Sequence, residues 1–181
     1  MSCSQTLYGI ALDCATSQGG IKKAYIANYV EGAFDVLTTG STPAIPVSVT
    51  GVSSSVTWQE LNFRKQTGSM TSTLNVDEAN GINYVSTELA LRFARQDTTK
   101  RLAVASMALG GIMAVVVDAN DEWYALGVSE PMFPSAGGAE TGTAKTDANQ
   151  YTVTLTDEYE SYPLHLTADA ITVVKAHIAG E

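Results

Sequence analysis

Histidine and cysteine are nearly missing from this chain, which holds two of each in 181 residues. Acid–base and nucleophilic catalysis lean on histidine, because its ring exchanges a proton near neutral pH and can activate a neighbouring hydroxyl or thiol. His165 and His177 have no Gly-x-Ser-x-Gly elbow beside them, so no nucleophile–base pair is readable. Alternation in YPLHLT sets His165 on one strand face with Pro163, as an exposed or structural ring; His177 falls in the closing segment, further still from a catalytic reading. Cys3 and Cys14 lack the Cys-x-x-Cys and His spacing of a zinc site. They read as free thiols, with a disulfide expected only in an oxidising medium.

Charge is scarce as well. Charged residues make up 16% of the chain, against about a quarter in ordinary globular proteins. Lysine and glutamate are expensive to desolvate, so a surface poor in them and rich in Ser, Thr, Ala and Gly suits broad subunit contacts; a monomer rich in small residues is the alternative. The formal net charge of −9 disfavours wrapping a nucleic acid through its phosphates, but suits a wall past which DNA slides without sticking. No apolar run approaches the length of a bilayer span, and MSCSQTLYGIALDC has no basic leader ahead of an apolar stretch. The expectation is a product made in the cytoplasm, without membrane insertion.

The remaining candidate chemistry is thin. Asp118, Asn120, Asp121 and Glu122 lack the glycine and terminal glutamate of a calcium loop and read as a turn between strands. Asp157, Glu158 and Glu160 read as an acidic hairpin tip more readily than as a glycosidase pair. The Gly-Gly pairs at 19–20, 110–111 and 137–138 lie outside any phosphate-binding loop and read as turns. Trp58, Trp123, Tyr124 and Phe133 are candidates for a sugar- or base-stacking platform, or for core and interface packing. No catalytic residue, metal or cofactor is expected.

The chain is long enough for one domain over 1–181, with 1–18 as an N-terminal arm. IKKAYIANYV, 21–30, reads as a first strand, and 38–55, broken by Pro43 and Pro46, as loop and edge strand. The most informative stretch is 63–95, two alternating runs around the turn Glu78-Ala79-Asn80-Gly81. This is a long β-hairpin. Setting Asp77 opposite Ile82 pairs Leu74 with Val85, Met70 with Leu89 and Gly68 with Leu91 on a mainly apolar face. The same register pairs Asn75 with Tyr84, Thr73 with Ser86, Thr71 with Glu88 and Thr67 with Arg92 on a polar one. Strands of about thirteen residues outrun the usual three to ten, so the hairpin is expected to protrude and to meet a partner. An N-cap at Asp97 or Thr98 opens one helix over 98–110, with Leu102, Ala105 and Leu109 at helical spacing. The apolar run 112–117 suits a central strand, with 122–128 as its hairpin partner. Residues 129–149 read as a surface loop, 151–156 and 161–167 as a last hairpin, and 171–174 as a closing strand.

GGIKKAYIANY, the long hairpin and TLTDEYESYPLHLTADAITVV together resemble structural proteins of tailed bacteriophages that infect gut bacteria. The order strand, long hairpin, helix, hairpin resembles the major tail tube family over roughly 20–175. The resemblance implies a mostly-β, tail-tube-like β-sandwich or half-barrel with one flanking α-helix and a protruding β-hairpin. It also implies homo-hexameric rings stacked into a virion tail tube, a channel for passing DNA, with tape measure, terminator and distal tail proteins as further partners. On that reading Met70, Leu74, Glu78, Asn80, Gly81, Val85, Leu89 and Leu91 form the assembly hairpin. Thr71, Thr73, Asn75, Ser86 and Glu88 are lumen candidates, while Lys22, Lys23 and Lys100 face outward or into contacts. A capsid decoration or head–tail connector subunit, and a carbohydrate-binding β-sandwich using Trp58 or Trp123, are the rival readings.

Overall fold

The computed structural model describes residues 9–10, 16–40 and 44–179. Cys3 and Cys14 lie outside them, as does most of the expected arm 1–18. In chain order the elements are β1 (Ile21–Asn28), β2 (Phe34–Thr38), β3 (Pro46–Val52), β4 (Gln59–Leu61), β5 (Gly68–Asp77), β6 (Ile82–Ala94) and α1 (Thr98–Met107). There follow β7 (Ile112–Asp118), β8 (Trp123–Leu126), β9 (Phe133–Glu140), β10 (Gln150–Tyr159), β11 (Leu164–Leu166) and α2 (Ala168–Ala176). The strands form a seven-stranded sheet, β2-β3-β11-β8-β7-β1-β4, and a four-stranded sheet, β5-β6-β10-β9. The fold is mostly β.

The apolar run of β7 explains the layering. A strand with no polar residue before Asp118 must be covered on both faces. Ile112, Ala114 and Val116 enter a buried cluster with Leu89, Leu91, Phe93, Val153 and Leu155 of the four-stranded sheet. Met113, Val115 and Val117 enter a second, with Val49, Trp58 and the α2 residues Ala170 and Val174. The molecule is therefore a sandwich of two sheets with α2 laid on the far face of the larger one. Leu89, Leu91, Leu126 and Leu155 are all fully buried, each contributing about 2 kcal/mol of transfer free energy. Val104 and Met107 of α1 close the inter-sheet cluster, and Asp97 caps that helix by accepting from the Lys100 amide at 2.8 Å.

Several expectations are corrected. The helix expected over 98–110 ends at Met107, and of the residues at helical spacing Leu102 is 57% and Leu109 88% exposed. The stretch 129–149 is not simply a loop, because β9 pairs with β10 from Gln150↔Glu140 to Thr156↔Phe133. Strands β10 and β11 do not form a hairpin; the chain turns between them and delivers β11 to the other sheet, against β8 and β3. Residues 171–174 lie within a second helix, and β3 is an interior strand, not an edge. Gly127, at φ +72°, sits where a Cβ would lie 3.0 Å from the Ile112 carbonyl oxygen, so the β8–β9 connection needs glycine there.

Candidate functional site

The hairpin β5–β6 has the expected register, from Gly68↔Leu91 through Met70↔Leu89 and Leu74↔Val85 to Asp77↔Ile82. Asp77 shapes the turn by accepting from the Ala79 and Asn80 amides at 3.0 and 3.3 Å, with the Asn80 side chain also donating to it. These hydrogen bonds hold its carboxyl below the usual range. Gly81 completes the turn at φ +66°.

The hairpin protrudes less than its length suggests. Strand β6 is central, paired to β10 from Val85↔Tyr159 to Ala94↔Gln150. Only the end beyond Leu74 and Val85 overhangs, carrying the tip residues Glu78, Asn80 and Gly81. The apolar face therefore divides. Val85, Leu89 and Leu91 are buried and Met70 half-buried, whereas Leu74 is 49% and Val76 59% exposed.

Among the described residues, nothing covers the opposite face of the four-stranded sheet. Thr71, Thr73 and Glu88 are exposed there, and Asn75 and Ser86 partly so. The register continues this face onto β10, with Thr154 beside Ala90, Thr156, whose hydroxyl is buried, beside Glu88, and Glu158 beside Ser86. The expected lumen residues thus share one polar surface, whose β10 portion the sequence reading did not include. Among the described residues, strands β5 and β9, at the two edges, are each paired on one side only. Lys22, Lys23 and Lys100 lie away from this face in ion pairs with Asp121, Glu60 and Asp97.

A polar seam interrupts the buried side. Ser72, Thr87 and Asp157 stand side by side on β5, β6 and β10, and the Ser72 and Thr87 hydroxyls are 2.8 Å apart. Asp157 is not at an acidic tip; the strand runs on to Tyr159 and turns it inward, leaving it 6% exposed. Burial pushes its carboxyl up to about 6, opposed by a hydrogen bond from the Gly127 amide and reinforced by the charges of Glu158 and Glu130. Alternation carried two residues further along β10 is the signal that finds it.

The other candidates are dispersed. Asp118 accepts from the Asn120 and Glu122 amides at 2.8 and 2.9 Å, so its carboxylate organises a turn, and no group of three metal-ligating side chains gathers among the described residues. His165 pairs with Glu122 at 3.4 Å and packs on Tyr124, and His177 ends α2 with Nδ1 2.9 Å from the Val173 carbonyl oxygen. Trp58 is fully buried against Phe34, while Trp123 stacks on Tyr25 at 5.7 Å with the Lys175 ammonium 5.2 Å from its ring centre. Phe133 is exposed on the other sheet. These aromatics do not converge into one platform, which weakens the carbohydrate-binding reading.

No family model, curated protein or solved structure matches this chain. Among the described residues, no helix is long and apolar enough to cross a membrane.

Proposed function

We propose that this chain is a non-enzymatic structural subunit that assembles with its own copies into stacked hexameric rings, forming a bacteriophage tail tube through which DNA passes. The observation that carries the reading is the hydroxyl-lined face of a sheet that, among the described residues, is uncovered and has two free edges. Such a sheet can be extended by neighbours and can present a continuous polar wall. Thr71, Thr73, Asn75, Ser86 and Glu88 would line the channel together with Thr154. Hydroxyls and scattered carboxylates give phosphates no regular array of cations to bind, so DNA would slide with little adhesion. The overhanging tip, with Leu74 and Val76 exposed, would contact a neighbouring copy.

Negative-stain microscopy of the purified protein tests the assembly: six-fold rings or tubes are expected. A dispersed monomer, or particles that form only on a capsid shell, would remove the reading. Assembled tubes should also fail to retain duplex DNA at low salt, and tight, salt-sensitive retention would count against a low-adhesion wall.

The tip gives a separate prediction. Replacing Glu78–Gly81 by a two-residue Asn-Gly turn keeps Asp77 opposite Ile82 and removes only exposed groups. Monomer stability should fall only slightly, because the lost Asp77 hydrogen bonds are solvent-exposed. Polymerisation followed by light scattering should fall far more, and tubes of normal length would show that the tip takes no part in assembly.

A further inference from the structure

The ten Lys and Arg residues are unevenly placed. None occurs in 66–91, 102–144 or 146–174, whereas seven of the ten lie within 64–101 or at 145. Of these, Arg64, Arg92 and Arg95 lie at one end of the four-stranded sheet, where β6 stops at Ala94 and β10 starts at Gln150, with Lys100 and Arg101 on α1, which begins there. Arg64, Arg92 and Arg95 line a groove of about 450 Å³ there. All three are exposed, and none makes an ion pair among the described residues. The groove's single carboxylate, Asp147, is already engaged, accepting from the Thr143 and Ala144 amides at 2.7 Å each.

The other end of the same strands has the opposite sign. Glu130, Glu158 and Glu160, with Tyr84 and Tyr159, line a groove of about 460 Å³, and these three glutamates are likewise exposed and without ion pairs. Along β6 the two grooves are eight residues apart, from Tyr84 to Arg92, or about 26 Å at strand rise.

We propose that these ends dock on one another, the glutamate–tyrosine groove of one copy receiving the arginine groove of the next, so that copies associate head to tail along the strands of the four-stranded sheet. A guanidinium group can pair with a carboxylate through two N–H donors while its flat face lies on a tyrosine ring, and both partners are present in the acidic groove. The occupant is a second copy because one molecule carries both surfaces, of similar size and opposite charge, at opposite ends. Like ends repel, so the contact has a single direction, and because it joins two different surfaces it leaves a free end for the next copy. The inference goes beyond the tube reading: it adds a direction and a salt dependence to stacking, and holds equally for filaments without rings.

The test uses the full chain in two charge-reversed forms. One carries Arg64→Glu, Arg92→Glu and Arg95→Glu; the other carries Glu130→Arg, Glu158→Arg and Glu160→Arg. By sedimentation velocity the unaltered protein should associate at about 50 mM salt and at least about tenfold less at about 500 mM. Each variant alone should stay dispersed with unchanged circular dichroism, and an equimolar mixture should associate again, since every contact is then complementary. Single reversals, Arg92→Glu and Glu158→Arg, should show the same pattern in smaller degree, which covers a triple variant that misfolds. Folded variants that assemble like the unaltered protein, a folded mixture that stays dispersed, or DNA bound at the arginine groove of a protein that never associates would each overturn the proposal. Six-fold rings that stack regardless of salt would remove this inference and leave the tube reading, whereas salt-sensitive chains without rings would do the reverse.

Discussion

Leu89→Asp should leave the chain unfolded. Leu89 is fully buried on the central strand β6, opposite Met70 and Leu155 and within the cluster that joins the two sheets. The substitution deletes a filled apolar volume and places a carboxylate where no cation stands. Loss of the leucine alone costs about 3 kcal/mol, and an unpaired buried carboxylate adds several more. The sum approaches or exceeds the whole stability of a typical domain, about 5–15 kcal/mol. Circular dichroism and urea titration read the outcome directly, and a cooperative transition near that of the unaltered protein would contradict the packing described. Leu74→Asp is the matched control, on the same face of the hairpin but half exposed in the overhang. It should cost the monomer less than about 1 kcal/mol. Any large effect it has should appear in assembly.

The second large effect is at Asp157. Its ordinary value near 3.8 is raised to about 6 in the folded protein. At roughly 1.4 kcal/mol per tenfold, that gap corresponds to about 3 kcal/mol. The folded state holds this proton more tightly than the unfolded chain does. The associated stability is therefore fully present below about pH 4 and is lost as pH rises through about 6. Asp157→Asn keeps the shape and removes the ionisation. At pH 8 the variant should be more stable than the unaltered protein by about 2–3 kcal/mol, and the difference should vanish or reverse near pH 4. Comparing the two proteins across pH by urea denaturation isolates this group from Asp77, Asp97 and Asp147, which are shifted down and give the opposite slope. Parallel curves from pH 4 to 8 would show that Asp157 is not buried as described.

The hairpin register was legible because a period of two and a single turn leave one alignment that keeps both faces consistent. Strand β7 was legible because only burial on both faces tolerates a run such as IMAVVV. Strand β9 was not, because PSAGGA carries none of the β-branched or aromatic residues that mark strands; pairing with β10 alone makes it one. Helix α2 was misread for the converse reason. Its ITVV run favours a strand locally, but Ala170 and Val174, four apart, bury together against the large sheet, and packing overrides propensity. The polar outer face was half legible: β5 and β6 revealed their hydroxyl rows, while 151–156 was paired with 161–167 in place of β6, which hid its share of that face, and ended one residue short of the inward Asp157.

Strand β11 is three residues long, yet it joins the two parts of the large sheet, lying parallel to β3 and antiparallel to β8. Without it β2–β3 and β8–β7–β1–β4 are separate ribbons. Thr167, next after β11, donates to the Thr50 carbonyl across 117 residues of chain, so the two sides of this junction leave the ribosome far apart in time. At synthesis rates of about 5–20 residues per second, the interval is roughly six to twenty-three seconds. Throughout it, the edge of β3 that will receive β11 has no intramolecular mate, while neighbouring polysomal copies offer strands of the same sequence. Yield in a producing cell therefore depends on how quickly residues 164–176 are translated and close that edge, and slow codons just upstream of Leu164 should lower it without changing a single amino acid.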